Sequence, residues 1–139
     1  ALAGGQLLVK TLNQIATGKF ASISQDESKV SFAAKLTKEM GRINWEKSAV
    51  AIERMIRGLK PWPGTYCSFK NKTLKILQAS IVEAKGDPSS ILEIRKEGFV
   101  VACGQGALFV KQVHLEASKP MIAYDFIQGQ RLKVLDRLE

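Results

Sequence analysis

The side chains of this sequence best suited to bind a partner are ten basic residues in one continuous segment, residues 35–79. The segment holds three acidic residues, so it carries +7 of the net charge of +8 of the 139-residue chain. Four aromatic residues are interspersed among the basic ones: Trp45, Trp62, Tyr66 and Phe69. Concentrated positive charge attracts phosphate groups, and aromatic rings stack on bases at about 1–3 kcal/mol per base. The pattern favours nucleic-acid binding, and the residues predicted to take part are Lys35, Lys38, Arg42, Lys47, Arg54, Arg57, Lys60, Lys70, Lys72 and Lys75.

A simpler explanation exists for part of this pattern. A basic segment is also compatible with an ordinary solvated surface, because charge alone discriminates weakly between kinds of partner. Among the aromatic residues, we expect Trp45 and Phe69 to fill a small core. Trp62 and Tyr66 fit either packing or stacking on bases, and the sequence leaves this choice open.

The sequence shows no set of residues typical of catalysis or metal binding. His114 is the only histidine, and no Ser, Asp or Cys pattern points to it as a base, so we expect it to be structural or exposed. Gly104-Gln105-Gly106 lacks the third glycine of a phosphate loop and lies between predicted strands, which indicates a hairpin turn. Asp125 and Asp136 are isolated. We predict no catalytic residue, no metal site and no cofactor site in this chain.

Cysteine content and hydropathy indicate the compartment. Cys67 and Cys103 both lie in apolar, strand-like stretches, which predicts two buried reduced thiols and a cytoplasmic location. Polar residues and glycines interrupt the apolar residues near the start of the chain, so no signal peptide is predicted. No apolar run approaches the length of a membrane span, and we expect no membrane partner.

Helical periodicity marks two elements in the first part of the chain. Leucine and isoleucine recur at helical spacing within residues 1–17, Gly18 supplies a stop, and residues 19–29 read as a linker. A second helix is predicted over residues 48–59, capped by Asn44 or Ser48. Its apolar face is Ala49, Ile52, Ile56 and Leu59, which leaves Arg54 and Arg57 free to meet a partner.

Strand-like segments follow this helix. They cover residues 65–70, 73–84, 91–95, 99–103 and 107–115, with hairpin turns at Asn71-Lys72 and Glu97-Gly98. Pro120 opens a short helix predicted over residues 121–128, and Gly129 is expected to end it. Helices combined with five or six short antiparallel strands predict an α+β fold with a small closed or nearly closed barrel.

The segment Leu59–Tyr66 joins the second helix to the first strand through a rigid corner. Pro61 stops the helix, Gly64 is free to adopt a positive φ, and Trp62 is held between two prolines. This corner and three further blocks resemble the C-terminal domain of bacterial methionyl-tRNA formyltransferase; the blocks are Lys35–Glu39, Gly41–Trp45 and Ile52–Arg57. The resemblance covers roughly residues 28–129.

This resemblance implies a small OB-like antiparallel β-barrel over residues 29–139 that binds initiator tRNA. Residues 1–28 then correspond to the closing helix and linker of a missing N-terminal catalytic domain. In the family, that domain transfers a formyl group from 10-formyltetrahydrofolate, its co-substrate, to the amino group of methionyl initiator tRNA. The present chain is expected to be inactive alone. Lys35 matches a family lysine at the domain junction that is associated with tRNA recognition.

Two other interpretations remain open at this point. Folate-dependent sugar-nucleotide formyltransferases carry a related domain with a similar Trp-Pro-Gly corner, in which case the chain is a structural spacer. The apolar face of residues 1–17 is also compatible with self-association. Residues 117–139 follow the family pattern poorly, so the resemblance assigns them no role.

Overall fold

The first helix forms where apolar residues recur at helical spacing. The computed structural model describes residues 2–139, and in it α1 covers Leu2–Ala16, followed by Gly18 with φ +68°. The helix predicted over residues 1–17 is confirmed, although Ala1 lies outside the described residues. The chain divides into two units between Ala34 and Lys35. No residue of α1, which belongs to the first unit, is buried.

The second unit begins with a capped amphipathic helix, α2, over Ala49–Gly58. The Ser48 hydroxyl accepts a hydrogen bond from the Ala51 N–H group at 3.2 Å, which satisfies one of the free donors of the first turn. Asn44, the other predicted cap, instead accepts from the Glu46 N–H group in the preceding turn. The helix buries Ala49, Ile52 and Ile56 of the predicted face, whereas the fourth member, Leu59, is its C-cap and is only half-buried.

Six antiparallel strands form one sheet below this helix, and a third helix, α3, follows at Ala123–Gln130. The sheet order is β1-β2-β5-β4-β3, with β6 paired to β5. This architecture confirms the predicted α+β class. The strands are β1 Thr65–Phe69, β2 Lys72–Val82, β3 Ile91–Arg95, β4 Gly98–Ala102, β5 Ala107–Leu115 and β6 Met121–Ile122.

The hairpin turns lie one residue earlier than the sequence indicated. Phe69 pairs with Lys72, so Lys70 and Asn71 form the β1–β2 turn, with φ +48° and +62°. Lysine seldom adopts a positive φ, and this choice of turn residue was therefore missed. In the second hairpin Arg95 pairs with Gly98, so Gly98 belongs to the strand rather than to the turn.

The helix predicted over residues 121–128 is also displaced. Met121 and Ile122 pair with β5 as β6, so α3 begins at Ala123 instead. The helix continues through Gly129 and ends at Arg131, whose φ is +54°. Long-range pairing with β5 thus prevails over the helix-start preference of Pro120.

The main core lies between the inner face of the sheet, α2 and α3. The rings of Phe69 and Phe126 meet edge to face with 5.1 Å between centroids. Trp45 is 6% exposed, so the prediction that Trp45 and Phe69 are core residues is confirmed. Cys67 and Cys103 are free, buried thiols, as expected. Burial raises the pKa of Cys67 to about 12 and that of Cys103 to about 11, so neither is a reactive thiolate at neutral pH.

Strand pairing does not close the sheet, because β1 and β3 remain its two edges. The C-terminal segment, residues 135–139, spans the gap between them. On one side Glu139 exchanges backbone hydrogen bonds with Ser68 of β1. On the other side Leu135 and Asp136 bond to Ile91 of β3, both at 2.8 Å. Strand pairing therefore does not form the predicted closed or nearly closed barrel: the sheet is open, and an irregular segment spans the gap between its edges.

The packing of Leu138 tests whether this segment stabilises the domain. Leu138 is 1% exposed, whereas Leu135 in the same segment is 75% exposed. We expect Leu138→Ala to lower the free energy of unfolding by about 2–5 kcal/mol, because a buried leucine is removed. Leu135→Ala is the matched control and is expected to change it by less than about 0.5 kcal/mol. Urea unfolding of both variants measures the difference; equal values would show that the segment does not contribute.

The stretch before α2 is anchored on β1. The Ile43 N–H group donates to the Tyr66 carbonyl at 2.8 Å, and Arg42 forms a parallel bridge with the same residue. Gly41 lies so close to the Gly64 carbonyl that a Cβ atom would collide with it. A glycine at position 41 therefore allows this stretch to pack against the Trp62 corner.

Replacing Gly41 tests this close approach. We expect Gly41→Ala to destabilise the domain by about 1–3 kcal/mol, because backbone must move to admit the methyl group. Gly58→Ala, in the last turn of α2, meets no atom within 4 Å and should instead be neutral or stabilising by up to about 1 kcal/mol. Thermal unfolding compares the two variants. A neutral Gly41→Ala variant would contradict the contact.

Candidate nucleic-acid interface

Three side chains from three neighbouring strands form a row on the outer face of the sheet. Tyr66 of β1 pairs with Lys75 of β2, and Lys75 pairs in turn with His114 of β5. Their neighbours Cys67, Leu74, Val113 and Leu115 are buried in the core. Because strand side chains alternate between faces, the row points away from the core.

The row continues two positions further along β2 and β5. There the Thr73 N–H group donates to Glu116 Oε2 at 2.9 Å. The His114 Nε2–H group donates to the Ser118 carbonyl at 2.9 Å, so this turn is tied to the sheet. These two hydrogen bonds hold the end of β5 and the turn after it in place beside the outer face.

The proline corner and the stretch before α2 provide the walls. Together they enclose a cleft of about 520 Å³, which we call the Trp62 groove; it is lined by Lys38, Trp62, Pro63, Tyr66, Thr73, Lys75, His114, Glu116 and Ala117. The Gly64 N–H group donates to the Leu59 carbonyl at 2.9 Å and closes the corner. Trp62 is 53% exposed there, which answers the question left open by the sequence: this indole does not pack in the core.

Positive charge predominates around the Trp62 groove. Lys38 and Lys75 line it with one carboxylate, Glu116, and Lys60 lines an adjoining depression that shares Lys75 and His114. Glu39, next to Lys38, is held ionised because hydrogen bonds from its own backbone and from Thr37 lower its pKa. The structure thus brings together Lys38, Lys60 and Lys75 out of the ten predicted basic residues.

The other seven predicted residues are exposed at separate places in the second unit. Arg54 and Arg57 lie on α2, where Arg57 Nε–H donates to Glu53 at 3.3 Å. Lys70 lies in the β1–β2 turn and Lys72 follows it at the start of β2, and Lys70 Nζ lies 5.1 Å from the Phe69 ring centroid. Lys35 starts the unit, and Lys47 precedes α2. Arg42 lines a shallow depression that also includes Arg137.

Thr73, His114 and Glu116 were missed as possible contact residues. Their signal is the alternation of polar and apolar residues at 73–76 and 113–116. This alternation places Thr73 on the same strand face as Lys75, and His114 on the same face as Glu116. That signal does not show which strands are neighbours, because β2 and β5 are distant in sequence and their register shifts around Gln78. Elsewhere in the second unit, two cations lie beside the ring of Phe109. The distances to the ring centroid are 5.1 Å from Arg95 Cζ and 5.5 Å from Lys111 Nζ.

Residues 2–139 contain no group of three or more His, Cys, Asp or Glu side chains that could hold a metal ion. None of the helices there combines the length and the apolar character that crossing a membrane requires. The Trp62 groove combines two lysines with an exposed indole, which suits a ligand that carries both negative charge and a flat apolar face.

Comparison with known proteins identifies relatives along nearly the whole chain. The methionyl-tRNA formyltransferase of Clostridium novyi is 36% identical over 135 residues, covering 96% of this chain and 44% of that protein. The methionyl-tRNA formyltransferase of Magnetococcus marinus is 40% identical over 136 residues, covering 98% of this chain and 44% of that protein. The chain therefore spans less than half the length of these relatives.

Solved structures of HypX from Aquifex aeolicus share the fold. One variant superposes with a TM-score of 0.63 at 20% identity, covering 95% of this chain and 24% of HypX. The complex of HypX with tetrahydrofolic acid gives 0.60 at 18% identity, covering 96% and 26%. A family model described as "Formyl transferase, C-terminal domain" matches residues 35–131, most of the second unit. The expected resemblance is confirmed, and the chain belongs to the family of formyl transferase C-terminal domains.

Proposed function

We propose that this chain is the tRNA-binding C-terminal domain of a methionyl-tRNA formyltransferase. The parent enzyme would transfer a formyl group from 10-formyltetrahydrofolate to the amino group of methionyl initiator tRNA, in the cytoplasm, during translation initiation. The observation that supports this most strongly is the similarity to methionyl-tRNA formyltransferases over at least 96% of the chain in the two relatives described. In this role the chain supplies binding, and the folate co-substrate would be bound by the N-terminal catalytic domain of the parent enzyme.

The exposed basic residues suit this role physically. A tRNA presents closely spaced phosphates, and side chains that neutralise them release counterions, which makes affinity fall steeply with salt. All ten predicted residues are exposed, so each is free to approach a phosphate without unfolding the domain. Arg54 lies on the surface of a rigid, capped helix, which holds its charge at a defined place.

The first unit fits the same proposal. Leu8, Leu12 and Ile15 of α1 are exposed large apolar residues. As the closing helix of a catalytic domain, α1 would bury this face against that domain, which is the proposed partner. The alternative is that α1 pairs with a second copy of the chain.

A salt series with labelled tRNA tests the proposed function. We expect fluorescent initiator tRNA to bind the chain with steep salt dependence, an elongator tRNA to bind similarly and a DNA duplex more weakly. Arg54→Ala/Arg57→Ala should weaken binding and reduce the log–log salt slope by about 1 for each lost phosphate contact.

The matched control removes the same charge outside the basic segment, in Lys96→Ala/Lys133→Ala, and should bind tRNA nearly as the parent chain does. If both double variants lose equal affinity, the α2 surface is not a specific contact. If tRNA does not bind even at low salt, the proposed function is wrong and the structural-spacer interpretation is favoured.

A further inference from the structure

We propose that the Trp62 groove binds one unpaired nucleotide of an RNA, with the base stacked on Trp62 and its phosphate held between Lys38 and Lys75. This inference rests on the proposed function and deepens it, because it names the part of the RNA that the groove accepts. The groove offers a stacking surface and two cations together, and the ligand class that uses both is a nucleotide rather than a simple anion or an apolar molecule.

The exposure of Trp62 is the first argument. An indole is among the most costly side chains to leave in water, and the chain's other tryptophan, Trp45, is buried. Trp62 cannot move freely into the core, because the Leu59–Gly64 hydrogen bond and the Gly41 contact fix the corner that carries it. A flat apolar ring held rigidly at the edge of a cationic cleft is a stacking platform for a base.

The size and lining of the groove are the second argument. Its volume of about 520 Å³ lies within the range of roughly 300–1,000 Å³ that small-molecule sites occupy. Trp62, Pro63 and Ala117 contribute apolar walls, while the strand residues contribute polar groups. A base in the interior of a duplex hides both faces by stacking, so such a base covers the indole only after it is unpaired or extruded.

The charges and hydrogen-bonding groups are the third argument. Lys38 and Lys75 are exposed cations that outnumber the one lining carboxylate, Glu116, which accepts the Thr73 N–H group. His114 uses Nε2–H on Ser118, so a neutral ring retains Nδ1 as an acceptor for a base amino group or a ribose hydroxyl. Lys60, in the adjoining depression, is placed to meet the next phosphate of a chain.

Fluorescence of Trp62 tests the groove directly in a Trp45→Phe background. Trp45 Nε1 has no hydrogen-bond partner among the described residues, so phenylalanine replaces it without breaking a bond. Titrants are adenosine monophosphate, the single-stranded tetraribonucleotide of adenosine and an RNA duplex. We expect the single strand to quench Trp62 fluorescence, to bind at least about tenfold more tightly than the mononucleotide because Lys60 adds a phosphate contact, and to be preferred to the duplex.

Variants provide the controls. In the wild-type background, Trp62→Ala should weaken single-strand binding, measured by calorimetry, roughly 5- to 150-fold, and Trp62→Phe should restore part of the affinity. Lys38→Ala/Lys75→Ala should weaken it as well. Lys96→Ala/Lys133→Ala removes the same charge outside the groove and outside the basic segment, and should have a much smaller effect. Circular dichroism confirms that each variant is folded.

The outcomes separate this inference from the proposed function. If tRNA binds but Trp62 fluorescence and the Trp62→Ala affinity are unchanged, the groove proposal is wrong and the proposed function stands. If the single strand quenches Trp62 but tRNA does not bind, the proposed function is wrong and the groove remains a nucleotide site. Equal quenching by the duplex would overturn the requirement for an unpaired base, and equal affinity for the mononucleotide would overturn RNA as the ligand.

Discussion

The hydrogen bonds that residues 135–139 make to both edges of the sheet are the constraint on which the rest of the second unit depends. A sheet with two free edges exposes unpaired backbone groups and leaves the inner face of β1 poorly covered. Here Glu139 pairs with Ser68 of β1, Leu135 and Asp136 pair with β3, and Leu138 fills the space between them. β1 in turn anchors Ile43 and presents Tyr66 on its outer face. The last residues of the chain therefore support a groove to which they do not contribute a side chain.

Alternation along the strands then separates stability from binding. On β1, β2 and β5 the inward side chains build one core, and the outward ones form the Tyr66–Lys75–His114 row. Substitutions on the outer face are thus expected to change binding without emptying the core. The corner at Trp62 adds an aromatic surface to this row. Gly41 allows the stretch before α2 to pack closely against the corner, and the two together form the walls of the Trp62 groove. The result is a cationic face with an exposed indole, carried by strands whose inward side chains form the core.

Local sequence signals predicted those parts of the fold that local physics determines. The α2 helix follows from its apolar spacing and Ser48 cap, and β5 from an apolar run bounded by glycine, with the predicted ends 107–115 confirmed. The β1–β2 turn was misplaced because Lys70 adopts a left-handed conformation, which a lysine in the sequence does not indicate. β6 and residues 135–139 were missed because each is defined by a partner far along the chain. The groove was missed for the same reason: its basic residues were predicted, but the register that places Lys75 beside His114 was not.

The indole N–H resonances of the two tryptophans offer the most direct test of the central claim, that tRNA is held at the outer face of the sheet beside Trp62. Nuclear magnetic resonance of the ¹⁵N-labelled chain, with and without initiator tRNA, reports both signals in one spectrum. We expect the Trp62 indole signal and the Tyr66 and Lys75 amide signals to shift, while that of buried Trp45 stays in place. Shifts confined to the β3–β4 hairpin around Lys96, with an unmoved Trp62, would place the tRNA elsewhere and contradict the claim.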